Sequence, residues 1–192
     1  MNNYFIHPKA DVQTNDIGNG TRIWQFSVIL PGVKIGSNCN ICAHSFIEPN
    51  VTIGNNVSVH IGASVSSSVI LEDNVYVGPG VRFTNDRHPR KGQPWEPMGS
   101  LVKMGASIGS NSVILPGITI GCNALIGAGS IVTKDVKDYS LVFGNRAKFK
   151  HWICCCTKRL IFNSKASAFC ACGRQYLLTS KNTVEEVILP MP

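Results

Sequence analysis

The 192-residue chain contains no apolar run long enough to cross a bilayer and no basic start followed by an apolar block. Neither a membrane protein nor a secreted one is expected, and a cytoplasmic location follows. Acidic residues are scarce, with eleven Asp and Glu against eighteen Lys and Arg. The imbalance is local: eight of the eighteen basic residues but only two of the eleven acidic ones follow Asn145. No helix-turn-helix, zinc-finger or RNA-binding signature accompanies this basic tail, so no nucleic-acid partner is expected, and a small polyanionic cofactor or plain solubility accounts for the charge better. Eight cysteines are present. Without a secretory signal they read as reduced thiols, and Cys39, Cys42 and Cys122 fall inside a repeat as small core or corner residues.

That repeat organises the chain. Every sixth residue from Ile17 to Phe83 is apolar: Ile17, Ile23, Ile29, Ile35, Ile41, Ile47, Ile53, Val59, Val65, Leu71, Val77 and Phe83. Four places after each lies a small or β-branched residue, as in Val33, Cys39, Ser45 and Val51. A period of six fits neither a helix, whose stripe recurs every 3.6 residues, nor a lone strand of period two. It fits a short strand and a corner repeated around a triangular coil, three hexads to a coil, with coils stacked at strand spacing. Glycine after the apolar position, as in Gly18, Gly36, Gly54 and Gly78, is read as a corner residue with backbone freedom.

Going back from Ile17, the step lands on Asp11, so residues 1–16 read as an N-terminal cap. Residues 17–137 form the solenoid. Residues 84–101, polar and holding three prolines, are an inserted loop, after which the register resumes at Val102, Ile108, Ile114, Ile120, Ile126 and Val132. Eighteen hexads make about six coils. Residues 138–192 form a basic, Cys-containing extension, expected to hold a short helix and a hairpin. A long loop hung from a solenoid costs ordering entropy and adds little core, which points to a functional role.

The hexads, the segment NVYVGPGVRFTNDRHPR, the restart LVKMGASIGSNSVILPGITIG, and ALIGAGSIVTKDV with GNRAK resemble the left-handed β-helix acyltransferases. More narrowly they resemble bacterial N-acetyltransferases of nucleotide-linked 3-amino sugars. The resemblance implies an all-β, left-handed parallel β-helix that assembles as a homotrimer with its active site between subunits. It also implies acetyl-CoA as co-substrate, a dTDP- or UDP-linked deoxyamino sugar as acceptor, no metal, and a place in surface-polysaccharide synthesis. A 4-amino sugar, another amine or a hydroxyl is the alternative acceptor.

The same resemblance implies site residues. Asn85, Asp86 and His88 are the catalytic candidates: Asn85 to orient the amine through its carbonyl, Asp86 or His88 to take a proton. Against this, Asn and Asp commonly just start a turn. Thr84, Arg82, Arg22 and Trp24 are candidates for the nucleotide sugar, and Trp24 has a subunit contact as its plainer reading. Gly105, Ala106, Gly127 and Ala128 would let pantetheine approach the coil, although each serves equally as a corner. Lys134, Arg146 and Lys148 would meet CoA phosphates, and Arg146 stands where relatives carry proline. His44 and His60 read as solvent-facing, and with His88 they lack the ligand spacing of a β-helix carbonic anhydrase. The tail cysteines Cys154, Cys155, Cys156, Cys170 and Cys172 offer C-x-C where structural zinc usually takes C-x2-C, so free buried thiols are expected.

Overall fold

The computed structural model describes residues 3–187. Each hexad contributes a two-residue strand whose second residue points inward, as in Arg22–Ile23, Val28–Ile29 and Lys34–Ile35. Strands pair in parallel with their counterparts one coil away, for example Arg22 with Asn40 and Ile23 with Ile41. Three faces result. The first holds Phe5–Ile6 through Ser140–Phe143, the second Asp11–Val12 through Ile131–Val132, and the third Lys34–Ile35 through Thr119–Ile120, lengthened by bridges at Ile17 and Val136. The inward aliphatics Ile23, Ile29, Ile41, Ile47, Val59 and Leu71 have no exposed surface. Each such burial contributes about 1.5–3 kcal/mol.

Apart from those of Phe83 and Val132, the hexads each place one residue at positive φ, three after the inward apolar residue: Gly20, Phe26, Gly32, Asn38, His44, Asn50, Asn56 and onward. Glycine and asparagine dominate there because they bear the left-handed conformation most easily. The glycines directly after the inward residue do something else. A Cβ on Gly36 would stand 2.5 Å from the Gly54 carbonyl oxygen, so these glycines permit backbone to stack on backbone from coil to coil.

The stack is longer than the hexad count implies, with about eight turns. The expected cap is itself a coil, since Phe5–Ile6 pairs with Arg22–Ile23 and Asp11–Val12 with Val28–Ile29. The step from Val12 to Ile17 is one residue short, which hid this coil from a strict count of six. At the far end, Ser140–Phe143 joins the first face parallel to Leu125–Ile126, and Lys148–Trp152 returns antiparallel to it. The expected tail helix is absent among the described residues. Residues 167–187 make a three-stranded antiparallel sheet, Ser167–Phe169, Gln175–Leu178 and Val184–Val187. Its inward residues Ala168, Cys170, Tyr176 and Val184 alternate with exposed ones, the period of a strand. No helix among the described residues is long and apolar enough to cross a membrane.

Candidate functional site

The inserted loop leaves the solenoid after Arg82–Phe83 and rejoins at Leu101–Val102. Its neck is pinned. The Met98 amide donates to the Asn85 carbonyl at 3.0 Å, and the Arg87 guanidinium reaches the Pro116 carbonyl at 3.1 Å. A Cβ on Gly99 would fall 1.9 Å from the Ser68 carbonyl oxygen, so only glycine lets the chain re-enter this close to the coil.

Asn85 sits at the departing side of this neck. Its amide nitrogen donates to Glu48 Oε2 at 2.8 Å and to Ser67 Oγ at 2.9 Å. Glu48 Oε2 also accepts the Ser67 backbone N–H at 2.8 Å. A carboxylate only accepts, so the nitrogen must face Glu48 and the carbonyl oxygen of Asn85 is left directed elsewhere. Oδ1 has no partner among the described residues, and the group therefore presents a fixed acceptor at the mouth of the loop. Beside Ser67 in the chain, the buried Ser66 hydroxyl also lacks a partner. Sequence reading missed Glu48 and Ser67. Glu48 follows Ile47 as Thr84 follows Phe83, two coils on, so the hexad register puts Glu48, Ser66 and Thr84 in one column at this corner.

The other loop candidates are occupied differently. Asp86 Oδ1 accepts the His88 backbone N–H at 2.8 Å, the turn-starting geometry weighed for it above. His88 is exposed. Thr84 donates its hydroxyl to the Ile114 carbonyl at 3.1 Å, and the Arg82 guanidinium bonds the Gly62 carbonyl.

Arg22 and Trp24 lie on the first face of the second coil, three coils from Asn85 or about 14 Å at strand spacing, and one chain does not bring them together. Trp24 donates its indole N–H to Asn40 Oδ1 at 2.8 Å and packs on Phe5. His44 stacks on Phe26 with centroids 5.1 Å apart, and His60 lies 4.6 Å from Tyr76. Among the described residues these two histidines and His88 form no ligand cluster.

A second concavity, of about 360 Å³, opens at the last coil. Val132, Val142, Ala147, Phe149 and Trp152 give it an apolar wall, and Lys134 and Lys137 stand at it with Asp135. The segment 144–147 is held against Ile131 by the Ala147 N–H at 2.8 Å, and it carries Arg146 and, next in sequence, Lys148, both exposed. Lys134 thus joins the cleft while Arg146 and Lys148 flank it. The four small residues divide. Ala106 is wholly buried, with its N–H on the Lys103 carbonyl and its carbonyl on the Tyr76 N–H. Gly105 is a positive-φ corner against Asn123, and Gly127 is covered by Phe143. Ala128 alone of the four is exposed.

In the tail the structure departs from separate buried thiols. The sulfurs of Cys154, Cys156, Cys170 and Cys172 lie within 4.8 Å of one another, and Cys172 is exposed. Spacing along the chain missed this because the two C-x-C pairs meet only once the strands fold back.

Family models describe residues 16–49 and 50–85 as bacterial transferase hexapeptide and residues 105–134 as the hexapeptide repeat of succinyl-transferase. The chain is 55% identical, over 90% of itself and 90% of the relative, to dTDP-3-amino-3,6-dideoxy-alpha-D-galactopyranose 3-N-acetyltransferase of Aneurinibacillus thermoaerophilus. Among solved structures it resembles a GDP-perosamine N-acetyltransferase of Caulobacter crescentus, in complex with CoA and GDP-perosamine, with 25% identity and a TM-score of 0.58 over 78% of this chain and 58% of that one. It also resembles WeeI of Acinetobacter baumannii, with 26% identity and a TM-score of 0.57 over 67% of this chain and 57% of that one. With the repeat, the pinned loop and these likenesses together, the chain belongs to the hexapeptide-repeat acyltransferases, on the branch of the nucleotide-sugar N-acetyltransferases.

Proposed function

We propose that this protein transfers the acetyl group of acetyl-CoA to the C3 amino group of a dTDP-linked 3-amino-3,6-dideoxyhexose. The observation that carries the reading is Asn85, held by Glu48 and Ser67 so that its carbonyl oxygen is free to accept an N–H from the sugar amine. The 3-amino sugar and the dTDP carrier come from the relative that is 55% identical.

The neutral amine attacks the thioester carbonyl, a tetrahedral oxyanion forms, and its collapse breaks the C–S bond. The amine's proton leaves with the thiolate, so the products are an acetamido sugar and free CoA. An amine of this kind is already nucleophilic, and positioning supplies most of what the enzyme must add. Asn85 orients the nucleophile. Asp86 or His88, which follow Asn85 in the loop, relays the proton. Lys134, Arg146 and Lys148 receive the CoA phosphates at the last coil, with Ala128 and the apolar cleft wall alongside the pantetheine arm.

Arg22, Arg82, Thr84 and Trp24 serve the nucleotide sugar. The reading includes a homotrimer with its sites between subunits, so that residues of a second copy join those of the first around the substrates. The enzyme works in the cytoplasm and supplies sugars for surface polysaccharide.

The test is incubation with acetyl-CoA and a panel of dTDP- and UDP-linked 3- and 4-amino sugars, following release of free CoA. Turnover with dTDP-linked 3-amino sugars well above the rest supports the assignment. Preference for a 4-amino sugar or a hydroxyl acceptor would replace it with the alternative acceptor.

A further inference from the structure

The tail contains one hairpin twice. Ile153-Cys154-Cys155-Cys156-Thr157-Lys158-Arg159-Leu160 and Phe169-Cys170-Ala171-Cys172-Gly173-Arg174-Gln175-Tyr176 match place for place at an offset of sixteen residues. Their backbone bonds match as well. The Cys154 N–H donates to the Lys158 carbonyl at 2.9 Å and the Cys170 N–H to the Arg174 carbonyl at 2.8 Å. Each tip closes in the same way, Thr157 N–H to Cys154 O at 2.8 Å and Gly173 N–H to Cys170 O at 2.9 Å, with Thr157 and Gly173 both at positive φ. Leu160 and Tyr176, equivalent in the repeat, are both buried.

The two tips face each other. Cys154 Sγ is 3.4 Å from Cys172 Sγ, Cys156 Sγ is 3.4 Å from Cys170 Sγ, and all four sulfurs lie within 4.8 Å of one another. Four sulfurs about 2.3 Å from a shared tetrahedral ion would stand about 3.8 Å apart, which falls inside this range. Donors are aimed at the sulfurs: the Cys156 N–H at Cys154 Sγ (3.5 Å), the Tyr176 hydroxyl beside the same sulfur (3.1 Å), and the Arg174 guanidinium at Cys172 Sγ (3.6 Å). Such donors stabilise negative sulfur and orient ligands around a metal. The surrounding core is small, consisting among the described residues of Trp152, Cys154, Leu160, Ala168, Cys170, Tyr176 and Val184. A unit of this size ordinarily needs a staple.

We propose that Cys154, Cys156, Cys170 and Cys172 bind one zinc ion and that this ion holds the two hairpins together. Soft thiolates in a tetrahedral arrangement select zinc over the hard divalent cations. Binding ionises the thiols and releases their protons to solvent, with no change of oxidation state. Cys155 is the middle residue of its tip, lies outside the group of four, and is not a ligand. The role is structural and independent of the acetyl-transfer reading.

The full-length protein, expressed with zinc in the medium and purified under reducing conditions without chelator, is analysed for metal by plasma mass spectrometry and for thiols with a mercurial reagent. One zinc per chain, released as four thiols are titrated, supports the proposal. Cys156→Ser and Cys172→Ser lose the ion while Cys155→Ser retains it. Should the serine variants fail to fold, wild-type protein stripped of metal and given Co(II) provides the second readout, intense visible bands of a tetrahedral tetrathiolate. Metal-free protein with all thiols reactive overturns the proposal. So does a chain whose mass is lower by four hydrogens, which would mean two disulfides.

Discussion

Asn85 donates its side-chain amide to Glu48 at 2.8 Å across thirty-seven residues of sequence, which makes one corner of the solenoid the anchor for the first residues of the loop. Positioning is what this contact supplies. Asn85→Ala should lower kcat by about 100-fold, the scale of a lost positioning or polar contact to the reacting centre, with KM for acetyl-CoA unchanged. Glu48→Ala should lower kcat in the same direction but by less, because Ser67 still holds the amide. Steady-state kinetics on folded variants check both.

The cations at the last coil should act on CoA and on nothing else. Lys134→Ala and Arg146→Ala are expected to raise KM for acetyl-CoA several-fold while leaving KM for the sugar nucleotide alone. The effect should shrink as salt screens the phosphate contact. Titration of KM against ionic strength reads this out.

The two kinds of glycine should respond differently to alanine. Gly36→Ala puts a Cβ 2.5 Å from a backbone oxygen in the next coil and should destabilise the stack severely. Gly62→Ala meets nothing within 4 Å and bears only the left-handed conformation, about 1–2 kcal/mol. Chemical denaturation midpoints distinguish them. Ile53→Ala, opening a cavity in the stacked core, should cost about 2–5 kcal/mol, and Thr52→Ala on the outer side of the same strand within about 0.5 kcal/mol.

Alkaline pH should weaken the solenoid through Cys39. Burial pushes this thiol's pKa up, so the folded chain holds the proton more tightly than the unfolded chain does. The stability it contributes is complete below the ordinary thiol value and is lost as pH rises through the raised one. Melting temperature followed through the alkaline range should fall less steeply in Cys39→Ala than in the parent.

Much of this architecture was legible because an inward aliphatic every six residues admits few backbone solutions, and Ile17 to Phe83 keep the step without a break. The first coil was not, because a five-residue step from Val12 to Ile17 shifts its register by one while preserving every parallel pairing. In the tail the expected hairpin is present, but the expected helix gives way to further strands: their inward residues are few and interrupted by tight Cys-containing turns, so no periodic run is long enough to read. At the site, Asn85 was legible from the TND segment, whereas Glu48 and Ser67 become its partners only when coils are stacked. Cys170 and Cys172 likewise meet Cys154 and Cys156 only through the fold.

The most direct test of the central claim is the structure of the product. After reaction of acetyl-CoA with a dTDP-linked 3-amino-3,6-dideoxyhexose, nuclear magnetic resonance should show one acetyl group on the nitrogen at C3 and every hydroxyl free. An acetyl group on oxygen, or unchanged sugar nucleotide with the protein folded and acetyl-CoA present, would contradict it.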